Sequence, residues 1–186
     1  TISATYAPMK DFSDTSRLNK SERDTAVGAG KLIALWDGEK VKLDRAVTSF
    51  VTTTGNKGDS FKKIKLVEDM DMIKTDIQST IQDDYIGKYA NSYDNKCLLI
   101  TAINGYFKTL VSEGVIESGT AEVDIESQRT YLESLGKAVT VNGFTKKPDE
   151  LSDDEVKVAN TDSHVFLKAT VVLTDAIEDV NLTINV

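Results

Sequence analysis

The sequence predicts an α+β fold: a mixed sheet packed against a pair of long antiparallel helices, with a C-terminal strand available for exchange between subunits. Three observations carry this prediction. Two stretches, Ser60 to Asp84 and Asp94 to Ser112, place apolar residues at three- and four-residue steps, as amphipathic helices do. Strand-like alternation lies before and after that helix pair and does not interleave with it, which argues against βαβ repetition. The chain ends on VNLTINV, where Val180, Leu182, Ile184 and Val186 point one way and Asn181, Thr183 and Asn185 the other.

In chain order, residues 1–20 are rich in Ser, Thr and Asp with little periodicity and read as an extended lead-in or linker. Ser21, with Asp24 three residues on, opens a short helix that Gly28 or Gly30 ends. Leu32 to Trp36 and Lys40 to Leu43 form a hairpin through Asp37-Gly38, and Ala46 to Thr54 is β-branched enough for a further strand. Ile64, Val67, Met70, Ile73, Ile77 and Ile81 make the apolar stripe of the first long helix. Leu98, Leu99, Ala102, Tyr106, Leu110 and Val111 make that of the second, which Gly114 terminates. IGKYANSY connects the two as antiparallel neighbours.

Beyond Gly114 the expected elements are a strand at Ala121 to Ile125, a helix from Ser127 to Leu135, and a strand in KAVTV. Ser152 and Glu155 stand at capping-box spacing, so Asp153 to Ala159 reads as a short helix. Val165, Leu167, Ala169, Val171 and Leu173 share one face of the penultimate strand.

Composition narrows the function. The chain has 186 residues, 40% hydrophobic and 28% charged, which is ordinary globular composition. A formal net charge of −8 and the lack of any Lys/Arg run longer than two argue against nucleic acid and anionic lipid as partners. No apolar run approaches the roughly 18 residues a spanning helix needs. The single Cys97 rules out an intramolecular disulfide and reads as a packed thiol.

Catalytic apparatus is not recognisable. The one histidine, His164, begins a strand, and AVGAGKL departs from the phosphate-loop pattern at Thr25 and Leu32. Asp153 and Asp154 lie in the first turn of a helix, where negative charge complements the dipole. Asp69, Asp71 and Asp76 do not share one helix face, and Asn181-Leu182-Thr183 carries no weight as a sequon without a secretory signal. The expectation is a structural protein, not an enzyme, with no cofactor and no metal.

Several segments taken in order carry a family resemblance: SERDTAVGAGKL, VTSFVTTT, EDMDMIKTDIQSTIQDDYIGKYANSYDNK, ITAINGYFKTL and SDDEVKVANTDSHVFLKATVVLTDAIEDVNLTINV. Together, over about Ser21 to Val186, they resemble the C-terminal half of contractile-tail sheath proteins of Gram-positive myophages and phage-tail-like bacteriocins. YIGKYANSYDNK and LTDAIEDVNLTINV are the most specific parts. The resemblance implies a lead-in at 1–20, the conserved sheath C-terminal domain at 21–174, and a linker with a C-terminal exchange strand at 175–186.

It also implies a subunit of stacked hexameric rings in a helical sheath, around an inner tail-tube protein and joined to baseplate and tail-terminator proteins. Such a sheath is assembled in the bacterial cytoplasm, belongs to a virion tail or released tail-like particle, and contracts to drive the tube through a cell envelope. Carried over, Val180, Leu182, Ile184 and Val186 belong to the exchanged strand, and Asp175, Ala176, Ile177, Glu178 and Asp179 to its linker. The receiving sheet is built beside Val165 to Leu173. The chain departs from the family in being short, since complete subunits carry additional domains and an N-terminal arm before the matched region. The alternative is a baseplate or other assembly or adhesion component using the same terminal strand; a carboxylate-dependent hydrolase is the third reading.

Overall fold

The computed structural model describes residues 2–55 and 57–184. It divides into two compact units, Thr1–Lys74 with Thr174–Val186, and Thr75–Leu173. The α+β class stands, but in place of one mixed sheet the described residues form three two-stranded antiparallel pairs. Two of the three are hairpins of three-residue strands, whose partners are their sequence neighbours.

In the first unit, helix α1 (Lys20–Gly28) is capped by Asn19, with Glu22 closing a capping box one residue pair earlier than Ser21/Asp24 suggested. Gly30 has φ +69°, and a Cβ there would meet Thr48 O at 2.9 Å, so the left-handed stop requires glycine. Strands β1 (Ala34–Trp36) and β2 (Val41–Leu43) form the expected hairpin. The Asp37 carboxylate accepts from Glu39 N and Lys40 N at 2.9 and 2.8 Å and shapes the turn.

Part of the segment expected as an extended lead-in or linker is tied to the hairpin. Tyr6 N donates to Leu43 O, Leu43 N to Ala7 O, and Met9 N to Val41 O, at 2.9 to 3.0 Å, so it lies along the second edge of β2. The strand expected over Ala46 to Thr54 is absent; Thr54 bridges only to Lys57, and Val47 bridges to Lys63. That bridge explains why the first long helix is broken. Lys63 takes extended backbone (φ −108°, ψ 127°) between a 3-10 turn at Asp59–Lys62 and helix α2 (Ile64–Thr80). On the first unit's part of α2, Leu66 and Ile73 are the buried positions.

In the second unit a π turn, Ile81–Tyr85, follows the end of α2. Helix α3 (Tyr93–Ser112) is capped by Ser92 and buries Lys96, Leu99, Ile103, Phe107 and Leu110. This face is rotated by about one residue from the expected stripe, and Leu98 and Val111 are 47% and 42% exposed. A lysine in the core register hid the true face. Strand β3 (Ile116–Val123), longer than expected, packs on α3 with Ile116, Ala121 and Val123 buried. Because these positions of α3 face β3, the expected close antiparallel helix pair gives way to a cleft of about 360 Å³. Ile77, Ile81, Leu99, Ile103 and Tyr106 line it.

A second cluster joins helix α4 (Ile125–Ser134), strands β4 (Val139–Val141) and β5 (Phe144–Lys146), and helix α5 (Asp153–Val158) around Leu132, Val141, Leu151 and Val156. Asn142 and Gly143, with φ 50° and 82°, make the two-residue turn between β4 and β5. Strand β6 (Leu167–Leu173) pairs antiparallel with β3, with a bulge between Ile116 and Ser118.

Lys96 is 3% exposed. Its ammonium donates to Gln128 Oε1 and Thr161 Oγ1, both at 3.3 Å, and Gln128 Nε2 in turn donates to Val156 O. No carboxylate among the described residues pairs with it. Burial therefore pushes its pKa below 10.5. A lysine whose folded pKa is lowered binds its proton more weakly folded than unfolded, so stability rises with pH between the folded value and 10.5. Thermal unfolding across the alkaline range should show that rise, and Lys96→Met should flatten it.

Candidate subunit interface

The described residues of the expected exchange strand, 180–184, form no strand within the chain. Residues 174–184 are neither helical nor paired in a sheet, and Val180, Leu182 and Ile184 are 79%, 79% and 75% exposed. Val186, expected on the same face, lies outside the described residues. Three apolar side chains at two-residue spacing thus stand in solvent, which costs hydrophobic free energy until something covers them.

The linker Asp175–Asp179 is tied down, in contrast. The Lys63 ammonium pairs with the Asp175 carboxylate, and Lys65 Nζ donates to Thr174 O. Glu178 accepts from Thr5 Oγ1 at 2.7 Å and from Arg45 at 3.1 Å, with Lys63 at 3.4 Å. Arg45 also pairs with Asp179 at 2.5 Å. Thr5 Oγ1 in turn accepts from Ala46 N at 3.1 Å, fixing its orientation. All of these partners belong to the first unit.

The charges reinforce one another. The hydrogen bond that Arg45 donates to Asp179 raises Arg45 above its ordinary value, and Arg45 holds the Asp179 carboxyl below the usual carboxylate range. Burial by itself would lower Lys63, but Asp175 and Glu178 override it and the net shift is upward. Burial would likewise raise Asp175, and the Lys63 ammonium drives it down instead. Ala176 is half-buried and Ile177 fully exposed, so the acidic members of the linker make the attachment.

The second unit offers an unpaired sheet edge. Ala121 N donates to Asn104 Oδ1 at 2.8 Å and Asn104 Nδ2 donates to Ala121 O at 3.1 Å, so the side chain of Asn104 occupies the outward backbone groups of Ala121 on the outer edge of β3. The backbone groups of Ala121 therefore point away from β6, and Ala121↔Ala169 is a non-hydrogen-bonded pair. By alternation, the N–H and C=O groups of Leu167, Ala169 and Val171 point away from β3. Among the described residues no strand pairs with that edge.

The side chains of the same three residues lie on the face that β3 buries against α3, so the apolar face of the sheet continues out to the open edge. This agrees with the sequence expectation that Leu167, Ala169, Val171 and Leu173 share a face. Sequence reasoning missed Asn104 and the basic residues Arg45, Lys63 and Lys65. The acidic TDAIED itself was the available signal that cations must gather near it.

Residues that could suggest chemistry have local structural partners. The His164 ring packs on Tyr131, centroids 4.8 Å apart, and its carbonyl accepts from Asn91. Asp153 pairs with Arg129 and Asp154 with Lys157, each at 2.9 Å. Asp69 pairs with Lys65 at 2.5 Å, and Asp76 accepts from Tyr106 Oη at 2.6 Å. Among the described residues no three His, Cys, Asp or Glu side chains are grouped to hold a metal ion, and no helix is long and apolar enough to cross a membrane.

Comparison with known proteins gives a concordant picture. The sequence model of the phage tail sheath C-terminal domain matches residues 56–186. The tail sheath protein of Clostridium phage phiCD119 is 37% identical over 185 residues, covering 99% of this chain and 49% of that protein. The chain thus spans about half the length of that relative. Among solved structures, a sheath tail protein from Desulfitobacterium hafniense superposes with a TM-score of 0.58 over 92% of this chain and 36% of the other, at 16% identity. A sheath tail protein from Listeria innocua gives 0.56 over 92% and 38%, also at 16% identity. A chain in the anti-feeding prophage baseplate gives 0.60 over 91% and 40%, at 13% identity. At these identities the structures share the fold.

Proposed function

The chain belongs to the phage tail sheath C-terminal domain family, and we propose that it is the part of a contractile sheath subunit that links neighbouring subunits by strand exchange. In this reading Val180, Leu182, Ile184 and Val186 leave their own subunit and add to the free edge of β6 in a neighbouring copy. Asp175–Asp179 serves as the tether. The observation that carries the reading is the open edge of β6, whose apolar face is unfinished and whose backbone groups at Leu167, Ala169 and Val171 have no strand partner.

Strand addition suits a sheath physically. It joins subunits through backbone hydrogen bonds that persist while rigid units reorient, so connectivity survives a change of ring diameter and pitch. Rings of copies of this chain around an inner tail-tube protein, joined to baseplate and terminator proteins, assembled in the cytoplasm and contracting to drive the tube through an envelope, complete the proposal.

A proline placed on the free edge tests it. Ala169 N–H points outward, so Ala169→Pro removes a donor that only an incoming strand would use and leaves the bonds to β3 in place. Electron microscopy of the purified complete subunit should show assembly lost in Ala169→Pro, with the thermal unfolding temperature close to that of the wild type. Normal tubes from Ala169→Pro would show that β6 receives no strand. Thr170→Pro serves as the contrast, because Thr170↔Thr120 is a hydrogen-bonded pair and its loss should unfold the sheet itself.

A further inference from the structure

The tether expected as a linker is anchored at several points along its length. Over the six residues Thr174 to Asp179, the side chains of Lys65, Lys63, Thr5 and Arg45 each reach it, and Glu178 is held from three directions. One residue further on, the anchoring stops: Val180, Leu182 and Ile184 have only solvent around most of their surface. A chain with 30 acidic and 22 basic residues has concentrated three cations around one short acidic stretch.

We infer that Arg45, Lys63 and Thr5, with Lys65 holding the Thr174 carbonyl just before it, form a docking notch for the acidic segment Asp175–Asp179 of the same chain, and that the pivot of the exchanged strand therefore lies at Asp179–Val180. The inference rests on the strand-exchange reading for its functional meaning, although the notch itself is a property of the isolated subunit. It divides the expected linker into two parts. Asp175 to Asp179 becomes an extension of the first unit, carrying its motion outward. Reorientation of the strand is confined to the bond vectors after Asp179.

The chemistry explains why the residues that anchor the segment are the carboxylates Asp175, Glu178 and Asp179 and not Ala176 or Ile177. A notch of this kind recognises charge and hydrogen-bond geometry, so it holds a segment that lacks secondary structure and leaves the following apolar residues uncommitted. Had the tether carried the apolar pattern of the strand, strand and tether would compete for the same sheet edge. Screening follows as well, since Asp175 and Asp179 are partly exposed.

A spin label at Ile177→Cys, in a Cys97→Ser background, reads the notch directly because Ile177 is 89% exposed and makes no part of the attachment. In the unassembled complete subunit the label should be ordered, whereas one at Leu182→Cys should be mobile. Arg45→Ala with Lys63→Ala should bring the mobility at 177 up to that at 182, and 1 M salt should act in the same direction. Arg45→Asp alone should do likewise, and Arg45→Asp combined with Asp179→Arg in one chain should restore order. Equal mobility at 177 in the wild type and the Arg45→Ala/Lys63→Ala variant would overturn the inference. So would restoration on mixing Arg45→Asp subunits with Asp179→Arg subunits, because that would place the docking between chains. An ordered label at 177 alongside subunits that fail to exchange strands would leave the notch standing and remove the strand-exchange reading, so the two fail separately.

Discussion

Replacing Leu182 or Ile184 by aspartate is expected to abolish assembly while leaving the fold of the isolated subunit unchanged. Both side chains are at least three-quarters exposed in the isolated chain, so a carboxylate there disturbs no packing. In the assembled state the same positions would complete the apolar face that Leu167, Ala169, Val171 and Leu173 begin. Burying a leucine side chain contributes about 1.5–3 kcal/mol, and burying an unpaired carboxylate costs several kcal/mol more. Each interface would therefore lose on the order of 4 kcal/mol or more, roughly a thousandfold in affinity. Asn181→Asp, on the opposite face, should assemble far better. Sedimentation and electron microscopy of the three variants beside thermal unfolding provide the check; assembly of Leu182→Asp or Ile184→Asp at wild-type concentration would contradict the register.

Phe107→Ala should cost about 3–5 kcal/mol in urea unfolding, as expected for a large aromatic ring removed from a packed interior. Phe107 is 1% exposed, and its ring lies against the backbone of Gly119 so closely that a Cβ there would sit 2.7 Å from ring Cγ. This contact presses α3 onto β3, the strand that holds β6. Gly119→Ala should consequently destabilise by about 1–3 kcal/mol through overpacking, although its backbone conformation would accept alanine. Phe107→Leu should relieve part of that cost, so the double variant should be less destabilised than the sum of the two single changes. Additive losses would show that the ring and Gly119 are not the contact that seats β3.

The elements set by local signals were readable from the residues. Ser152 and Glu155 form the capping box that opens α5, and the β1–β2 hairpin falls about Asp37 and Gly38. VNGF carried a hairpin signal of the strongest kind, yet the strand after it was overlooked; Asn142 and Gly143 make the turn into β5. Features that depend on distant partners were not readable. Ala46 to Thr54 has strand composition but makes only isolated bridges, Thr54 to Lys57 and Val47 to Lys63, and the extended backbone of Lys63 then cuts short the helix expected from Ser60. Lys96 disguised the buried face of α3, because a charge in a core register is recognisable only once Gln128 and Thr161 are seen around it.

The candidate interface was partly legible for the same reason. Period and position showed that Val180, Leu182 and Ile184 form an uncovered apolar row, and the family resemblance supplied a neighbouring sheet as its destination. What the residues could not show is that Asn104 occupies the outward backbone groups of Ala121 on β3, while no described strand pairs with the outer edge of β6. Nor could they show that the acidic tether is gripped by Arg45 and Lys63, since those partners lie more than 100 positions away in sequence.

Electron cryomicroscopy of the assembled complete subunit, at a resolution that traces side chains, tests the central claim most directly. A third strand containing Val180–Val186 should run along Leu167–Leu173 of β6, and its chain should trace back to the Asp175–Asp179 segment of a different subunit. Density showing that edge bare, or occupied by the subunit's own C-terminal residues, would contradict strand exchange at β6.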